Sequence, residues 1–285
     1  MLKVSIITLH LHFITEALLP YWMGSMFRGG LGQSLKMITH HEQTDSLFYH
    51  MYMREVRKRG YSKPPKPVLL VPPFFGKALK VEKDATLDLD VFFFGEYIKF
   101  LPELILGINI LGKMGLGSER HYNKSRFEIS SIKCKISKRL VYDGSNLILN
   151  NLSSIDVKDI PPYDEDRLKI GFRTPLTSKP FPPKAERLLF LIRNRLLGFV
   201  NEYGSGEEVP EFKCKGDIIN YSSHKHKLER RSIRSEKTLF KGYTGIVEYK
   251  FTELDDSARW LINVGLTIGC GPDSSFGFGF LQKMP

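Results

Sequence analysis

The stretch Leu266-Thr267-Ile268-Gly269-Cys270-Gly271-Pro272-Asp273-Ser274-Ser275-Phe276-Gly277-Phe278-Gly279-Phe280-Leu281 decides how this chain is read. A Gly-x-Gly pair is followed six residues on by Gly-Phe-Gly. An apolar helical pattern leads in and a strand-like pattern leads out. Glycine accepts positive φ and allows a second backbone to come close. Four glycines within eleven residues therefore predict a loop shaped for contact, with free N–H groups that suit a phosphate. The competing reading is an ordinary glycine-rich connection. The order of elements excludes a dinucleotide fingerprint, which follows a strand and opens a helix. A Walker A loop needs Gly-Lys-Ser/Thr, and that is absent.

Working outward, a second segment resembles the lead-in to this loop. Ile108-Asn109-Ile110-Leu111-Gly112-Lys113-Met114-Gly115-Leu116-Gly117 parallels Ile262-Asn263-Val264-Gly265-Leu266-Thr267-Ile268-Gly269-Cys270-Gly271. Both run from a helical pattern into Gly-hydrophobic-Gly and then toward a strand, over 127–136 and 278–282. Similarity at such spacing points to a duplicated domain. The first copy reads as a strand over 2–13, where Leu9, Leu11 and Phe13 alternate with His10 and His12. A helix over 23–38 follows Pro20. Strands are expected over 68–71 and 85–94, where Asp88 and Asp90 alternate with apolar residues, and then a helix over 97–111. The second copy reads as a strand over 168–174 and a helix over 184–203. That helix sets apolar Leu188, Leu189, Ile192, Leu196 and Phe199 against Arg187, Arg193 and Arg195. Strands over 211–221 and 239–252 come next. A final helix to 266 is capped by Asp255 or Asp256. The order is βαββαβ twice, the ferredoxin-like unit. Domains are expected over 1–155 and 168–285, joined by an acidic, proline-bearing linker over 156–167.

Forty-two Lys and Arg against 31 Asp and Glu leave a formal charge of +11, which attracts polyanions, nucleic acid first among them. The rival is a basic scaffold for protein partners. Cys134, Cys214 and Cys270 follow no metal spacing and fit a reducing cytoplasm. Cys270, inside the glycine loop, reads as a small filler because no motif supplies it with a base. No secretory signal is evident. The apolar run over 92–111 is broken by Glu96, Lys99 and Glu103 and does not suit a bilayer.

Three pieces carry a family resemblance. Gly269-Cys270-Gly271 with Ser275-Phe276-Gly277-Phe278-Gly279 resembles the C-terminal glycine-rich motif of the RAMP superfamily, in particular the CRISPR-associated precursor-RNA processing endoribonucleases. Tyr21-Trp22-Met23-Gly24-Ser25-Met26-Phe27-Arg28-Gly29-Gly30-Leu31-Gly32 resembles the Leu/Phe-Arg-Gly-Ala opening of the first helix in one branch. Arg230-Arg231-Ser232-Ile233-Arg234-Ser235, with Gly242-Tyr243-Thr244-Gly245, resembles the basic strand pair before the last helix. The resemblance implies an α+β chain of two tandem ferredoxin-like (βαββαβ, RRM-like) domains with an RNA-binding cleft between them. It also implies a metal-independent endoribonuclease that cuts CRISPR repeat RNA in precursor transcripts to produce guide RNAs. The alternative is a non-catalytic RAMP RNA-binding subunit of a CRISPR effector complex. The partners implied are CRISPR repeat RNA and, for the alternative, other effector subunits. No cofactor, metal or membrane is implied. The protein would be a monomer or homodimer in the cytoplasm of a prokaryote.

Family members cleave RNA through attack of the 2′-OH on the adjacent phosphate, leaving a 2′,3′-cyclic phosphate and a 5′-OH. This chemistry asks for a base, an acid and a cation, and histidine suits the first two. The family's catalytic histidine often follows the first helix. Here His40 and His41 occupy that region, with Lys36 one turn earlier as the cation; His50 and Tyr49 lie further on. The competing reading of His40 and His41 is a helix C-cap. The chain departs from the family twice: the tyrosine of some members' first helix is replaced near Gly32 or Gln33, and a cysteine cluster of some relatives is missing.

For RNA contact the resemblance points to Arg230, Arg231, Arg234 and Lys237, and to Gly269, Gly271, Gly277 and Gly279. Arg28, with Gly29 and Gly30 at the start of the first helix, either grips a phosphate or serves close packing by small residues. The tract 213–234, with His224-Lys225-His226-Lys227, is expected as a mobile loop that orders on RNA. His224 and His226 read as solvated rather than as metal ligands. Arg120, His121, Lys124 and Arg126 form a second basic candidate surface. Phe276, Phe278 and Tyr243 are available to stack on bases or to pack in the core.

Overall fold

The alternation of residues 3–13 builds β1 (Lys3–Phe13). Ile7, Leu9, Leu11 and Phe13 are fully buried in one core, while His10 and His12 fall on the opposite face. In the computed structural model, which describes residues 1–39, 43–54, 64–117, 122–232 and 235–285, β1 is central to the first of two units, Leu2–Ile155. The second unit comprises Asp156–Pro285 with Met1. In the first unit, β2 (Ala17–Leu19) precedes α1 (Gly24–Ile38). There follow β3 (Val68–Val71), β4 (Leu79–Val81), β5 (Thr86–Phe94), α2 (Leu101–Met114), β6 (Phe127–Cys134) and β7 (Leu140–Tyr142). The main sheet has the order β3-β5-β1-β6-β7 with antiparallel pairing. β2 and β4 form a separate ribbon.

Leu9 faces Leu89 and Leu11 faces Leu87 across β1 and β5, so the inward residues meet in pairs. Phe27, Leu31 and Leu35 of α1 recur every fourth position and pack into this core with Leu104, Ile108 and Leu111 of α2. Each such side chain contributes about 1.5–3 kcal/mol by leaving water. The other face explains the alternating acids of β5. His10 Nδ1 lies 2.7 Å from Asp88. Asp90, only 5% exposed, accepts from Thr8 Oγ1 at 2.8 Å and from Lys135 Nζ at 2.7 Å, as a buried carboxylate requires. The helix expected over 97–111 starts later. A 3₁₀ turn spans Gly95–Phe100, and Pro102 takes the first turn of α2, where its missing N–H costs no hydrogen bond.

A two-residue strand, β8 (Ile155–Asp156), stands where the units divide. The second unit contains β9 (Arg167–Leu176), α3 (Ala185–Tyr203), β10 (Cys214–Tyr221), β11 (His224–Ser232), β12 (Ser235–Leu254), α4 (Asp256–Ile268) and β13 (Leu281–Lys283). Its sheet has the order β10-β12-β9-β13, with β11 paired to the other half of β12. Both units thus have the strand order of a ferredoxin-like fold, and the chain is α+β with two such units in tandem. Asp255 caps α4, its Oδ1 accepting from Ala258 N–H at 2.7 Å.

Two expectations change here. The stretch 156–167, read as a linker, packs onto the second unit. Val157, Ile160 and Tyr163 are buried, and Trp260 Nε1 of α4 donates to the Val157 carbonyl at 3.0 Å. Over its described residues the tract 213–234, expected as a mobile loop, forms β10 and β11. Its charge masks buried Leu228, which faces Phe240 across the pair.

The internal repeat is written in backbone angles. α2 ends on Gly115 at φ 81°, and α4 ends on Gly269 at φ 80°. Two residues on, Gly117 and Gly271 are again left-handed, at 68° and 72°. A side chain at these C-caps would be strained. Within α2, a Cβ on Gly112 would collide with the Phe127 carbonyl of β6. Gly112→Ala is therefore expected to destabilise the protein by about 1–3 kcal/mol, read as a lowered midpoint in chemical denaturation.

Candidate functional site

The glycine-rich loop of the second unit is organised by an arginine. Arg195 lies on α3, and the periodicity of that helix put it on the polar side. In the structure it is 7% exposed. Its Nε donates to the Gly271 carbonyl at 2.9 Å, Nη1 to Ile268 at 2.9 Å and Nη2 to Phe278 at 2.6 Å. The guanidinium also lies 5.4 Å from the Phe280 ring centre. The long stem reaches over apolar neighbours, and the fork meets three carbonyls that the two Gly-x-Gly turns aim inward. Burial lowers Arg195 to about 10, so it remains charged at neutral pH.

The loop's N–H groups are used within the protein, contrary to the expectation that they stand free for phosphate. Those of Gly269, Cys270, Gly271 and Gly279 donate to Gly265, Gly279, Leu191 and Pro175, at 2.8, 2.8, 3.2 and 3.1 Å. Gly277 N–H donates to Ser274 at 2.8 Å, closing a 3₁₀ turn over Ser274–Phe276. Asp273 Oδ2 accepts from Thr177 Oγ1 at 2.9 Å. Cys270 is fully buried, and burial pushes its thiol up to about 12, in keeping with an inert filler.

The basic strand pair is tied to this loop. Phe240 of β12 packs at 5.4 Å from the Phe276 ring and 5.6 Å from Phe278. The Arg230 guanidinium lies 5.0 Å over the Phe276 ring, a cation–π contact. Phe278 is buried while Phe276 is partly exposed, so the two aromatics divide between core and surface. Tyr243 stacks on Phe181 at 5.3 Å with planes 8° apart. Arg231 lies on β11 and Lys237 on β12; Arg234 lies outside the described residues. His226 Nε2 is 2.7 Å from Thr244 Oγ1 on the neighbouring strand. Among the described residues no group of three or more His, Cys, Asp or Glu side chains gathers as a metal site.

In the first unit, His40, His41, Arg120 and His121 lie outside the described residues. Lys36 is exposed in the last turn of α1, where the helix dipole favours a cation. Arg28 is not at the helix start. α1 begins at Gly24, so Arg28 and the following glycines sit a turn inside it. Gly30 lies against Leu111, and Gly32 against the Tyr52 ring; at these positions the small residues serve packing. The Arg28 carbonyl accepts from Tyr52 OH at 2.6 Å. Lys124 pairs with Glu16 at 2.6 Å, and Arg126 Nη2 donates to Asn123 at 2.8 Å.

His50, a secondary candidate by sequence, has the most elaborate surroundings among the histidines described. It sits on a π-helical turn over Tyr49–Met53. Its Nδ1 is 3.1 Å from Tyr97 OH, which also accepts from Arg54 Nη1 at 3.3 Å. Its Nε2 is 3.8 Å from Asp45 Oδ1, and Lys99 Nζ is 3.4 Å from the same oxygen. Burial first, and then the Arg54 cation, hold the imidazole below the ordinary histidine range, against an opposing pull from Asp45. Tyr97 and Lys99 escaped the sequence reading because they are joined to His50 only by the fold. Tyr97 and Lys99 precede α2, more than forty positions away.

Comparison with known proteins follows the same division of the chain. The family model AF_1859_N, described as an N-terminal domain, matches residues 2–154, and AF_1859_C, described as a C-terminal domain, matches residues 168–283. An uncharacterized protein of Archaeoglobus fulgidus is 40% identical over 275 residues, 93% of this chain and 92% of its own. Among solved structures, Thermus thermophilus Cas6 has a TM-score of 0.56 at 12% identity, covering 100% of this chain and 99% of its own. A Cas6 product complex has a TM-score of 0.55 at 14% identity, with 99% of each chain covered. A chain of a partial Cas6-RT-Cas1--Cas2 complex has a TM-score of 0.58 at 10% identity, covering 99% of this chain and 46% of its own. At these identities the likeness is one of fold.

Replacing Arg195 should open the glycine loop. Arg195→Met removes the donor from three carbonyls, two of them in buried contacts, at about 1–3 kcal/mol for each buried acceptor left unsatisfied. A loss of at least about 2 kcal/mol is expected in chemical denaturation. Arg195→Lys, which keeps the charge but not the fork, should lose less.

Proposed function

The chain belongs to the AF_1859 family, and on that premise we propose that it is a metal-independent endoribonuclease that cuts CRISPR repeat RNA in precursor transcripts to produce guide RNAs. The observation that carries this reading is the pair of ferredoxin-like units, which runs the whole length of Cas6 chains. The net charge of +11 supports a polyanionic substrate.

In this reaction the 2′-OH attacks the adjacent phosphate and the 5′ oxygen leaves, giving a 2′,3′-cyclic phosphate. His40 and His41, just beyond α1, are the proposed acid–base groups. Lys36, exposed in the last turn of that helix, is the proposed cation for the phosphorane. The RNA-contacting set proposed is Arg28, Arg230, Arg231, Arg234 and Lys237, together with the loop of Gly269, Gly271, Gly277 and Gly279. Because the loop's N–H groups at these glycines are largely engaged internally, its part is to set the surface of Phe276, Arg230 and their neighbours. A base that stacked on Phe276 would gain about 1–3 kcal/mol.

The test uses a panel of end-labelled CRISPR repeat RNAs in EDTA. One cut leaving a cyclic phosphate is expected, and the His40→Ala/His41→Ala double variant should lose at least about 100-fold in rate. Binding without any cut would leave the non-catalytic RAMP subunit as the function. RNA affinity should fall steeply with salt as phosphate contacts release counterions; a flat response would point to a protein scaffold.

A further inference from the structure

We propose that the first unit carries a second copy of the glycine-rich loop, written without its last two glycines, and that this copy binds single-stranded RNA by stacking a base on Tyr122 beside Lys124. The proposal rests on the RNA-binding reading of the chain and adds to it a contact in the first unit.

The copy is in the backbone. In the second unit the loop is left-handed at Gly269, Gly271, Gly277 and Gly279, with φ of 80°, 72°, 78° and 74°. At the same offsets in the first unit, Gly115, Gly117, Asn123 and Ser125 have φ of 81°, 68°, 56° and 59°. The hydrogen bonds correspond as well. Cys270 N–H donates to the Gly279 carbonyl at 2.8 Å, and Leu116 N–H to the Ser125 carbonyl at 3.1 Å. Gly279 N–H donates to Pro175, and Ser125 N–H to Glu16. Phe280 N–H donates to Thr174 Oγ1 and Arg126 N–H to Thr15 Oγ1, both at 2.9 Å. Arg173 N–H and Ile14 N–H then return to the Phe280 and Arg126 carbonyls. Each copy leads directly into a strand, at Leu281 of β13 or Phe127 of β6.

A left-handed conformation is uncommon outside glycine. Ser125 adopts it, and its buried hydroxyl has no partner among the described residues, which is itself unfavourable. A backbone path kept against both costs points to a use for the loop.

The side chains presented are different. Tyr122, Lys124 and Arg126 stand where Phe276, Phe278 and Phe280 stand in the second unit. The Phe276 ring is covered by Phe240 at 5.4 Å and by the Arg230 guanidinium at 5.0 Å. Tyr122 is 78% exposed, more than any other large apolar side chain described. Phe278 is buried in the core, whereas the Lys124 side chain reaches solvent. A bare aromatic face beside a cation suits the bases and phosphates of a single strand. Residues 2–155 carry most of the chain's positive excess, which favours a polyanion over a protein partner. Lys124 Nζ lies 2.6 Å from Glu16 Oε1. That contact, ahead of the attraction to Lys80, holds the Glu16 carboxylate below its usual range, so a phosphate must compete with Glu16 for Lys124.

Equilibrium binding of the full chain to single-stranded RNA of CRISPR repeat sequence tests this, with 2-aminopurine placed at successive positions. The wild type should quench the probe at one position where Tyr122→Ala restores the signal and Phe276→Ala does not. Tyr122→Ala should also weaken binding at least about fivefold, the lower end of what one stacked base contributes. Tyr122→Phe keeps the ring and should bind as the wild type does. Melting should be unchanged in both variants, because the ring is exposed. Glu16→Gln frees Lys124 and should tighten binding by up to about fivefold; unchanged or weaker binding overturns the part given to Lys124. Wild-type affinity and quenching in Tyr122→Ala overturn the proposal and leave the ring to a protein contact. Failure of the RNA reading looks different: the wild type itself would bind none of the RNAs, and the proposal would fall with it.

Discussion

A buried cation organises the second unit. The guanidinium of Arg195 ends among three backbone carbonyls and has no carboxylate bonded to it in the geometry described. Removing a cation from water is unfavourable. Here the compensation comes from peptide dipoles, which the chain can aim only by turning twice through left-handed glycines. The helix exit, the two Gly-x-Gly turns and the arginine are therefore one device. The last helix and the last strand, α4 and β13, are joined through it.

The first unit reaches the same backbone path by other means. Gly115 and Gly117 repeat the angles of Gly269 and Gly271, yet the space beneath is filled by close approach of α2 to β6 at Gly112. The shared feature is the shape of the exit from the helix. What fills that shape has diverged. This is the pattern expected of a duplicated element whose two copies have diverged, one beside an aromatic and basic surface, the other in a unit that holds a histidine among tyrosines and cations.

Much of the fold was legible because it depends on local rules. Alternation exposed β1 and β5, fourfold spacing exposed α1 and α3, and Asp255 announced α4. Reading failed where long-range geometry overrides local character. Arg195 looks solvated on a helical wheel and is buried because three carbonyls await it. The stretch 224–232 looks solvated because its charges conceal the buried Leu228. At the candidate site, the glycine loop and the basic strands could be named from sequence, whereas the His50–Tyr97 pair could not. Its members lie 47 positions apart, and no periodicity links them.

The length of β12 carries a further consequence. Toward its C-terminal end it is paired on both sides, by β10 and β9; its N-terminal part pairs with β11. A two-stranded ribbon has little stability of its own in water. What steadies this one is Phe240, set against Phe276 and Phe278 of the glycine loop. Ribbon and loop therefore share their order: thermal motion in either loosens the same aromatic contact. A ligand that ordered the ribbon would leave less conformational entropy to be lost at the loop, so contacts on the two would bind cooperatively with no change in average structure.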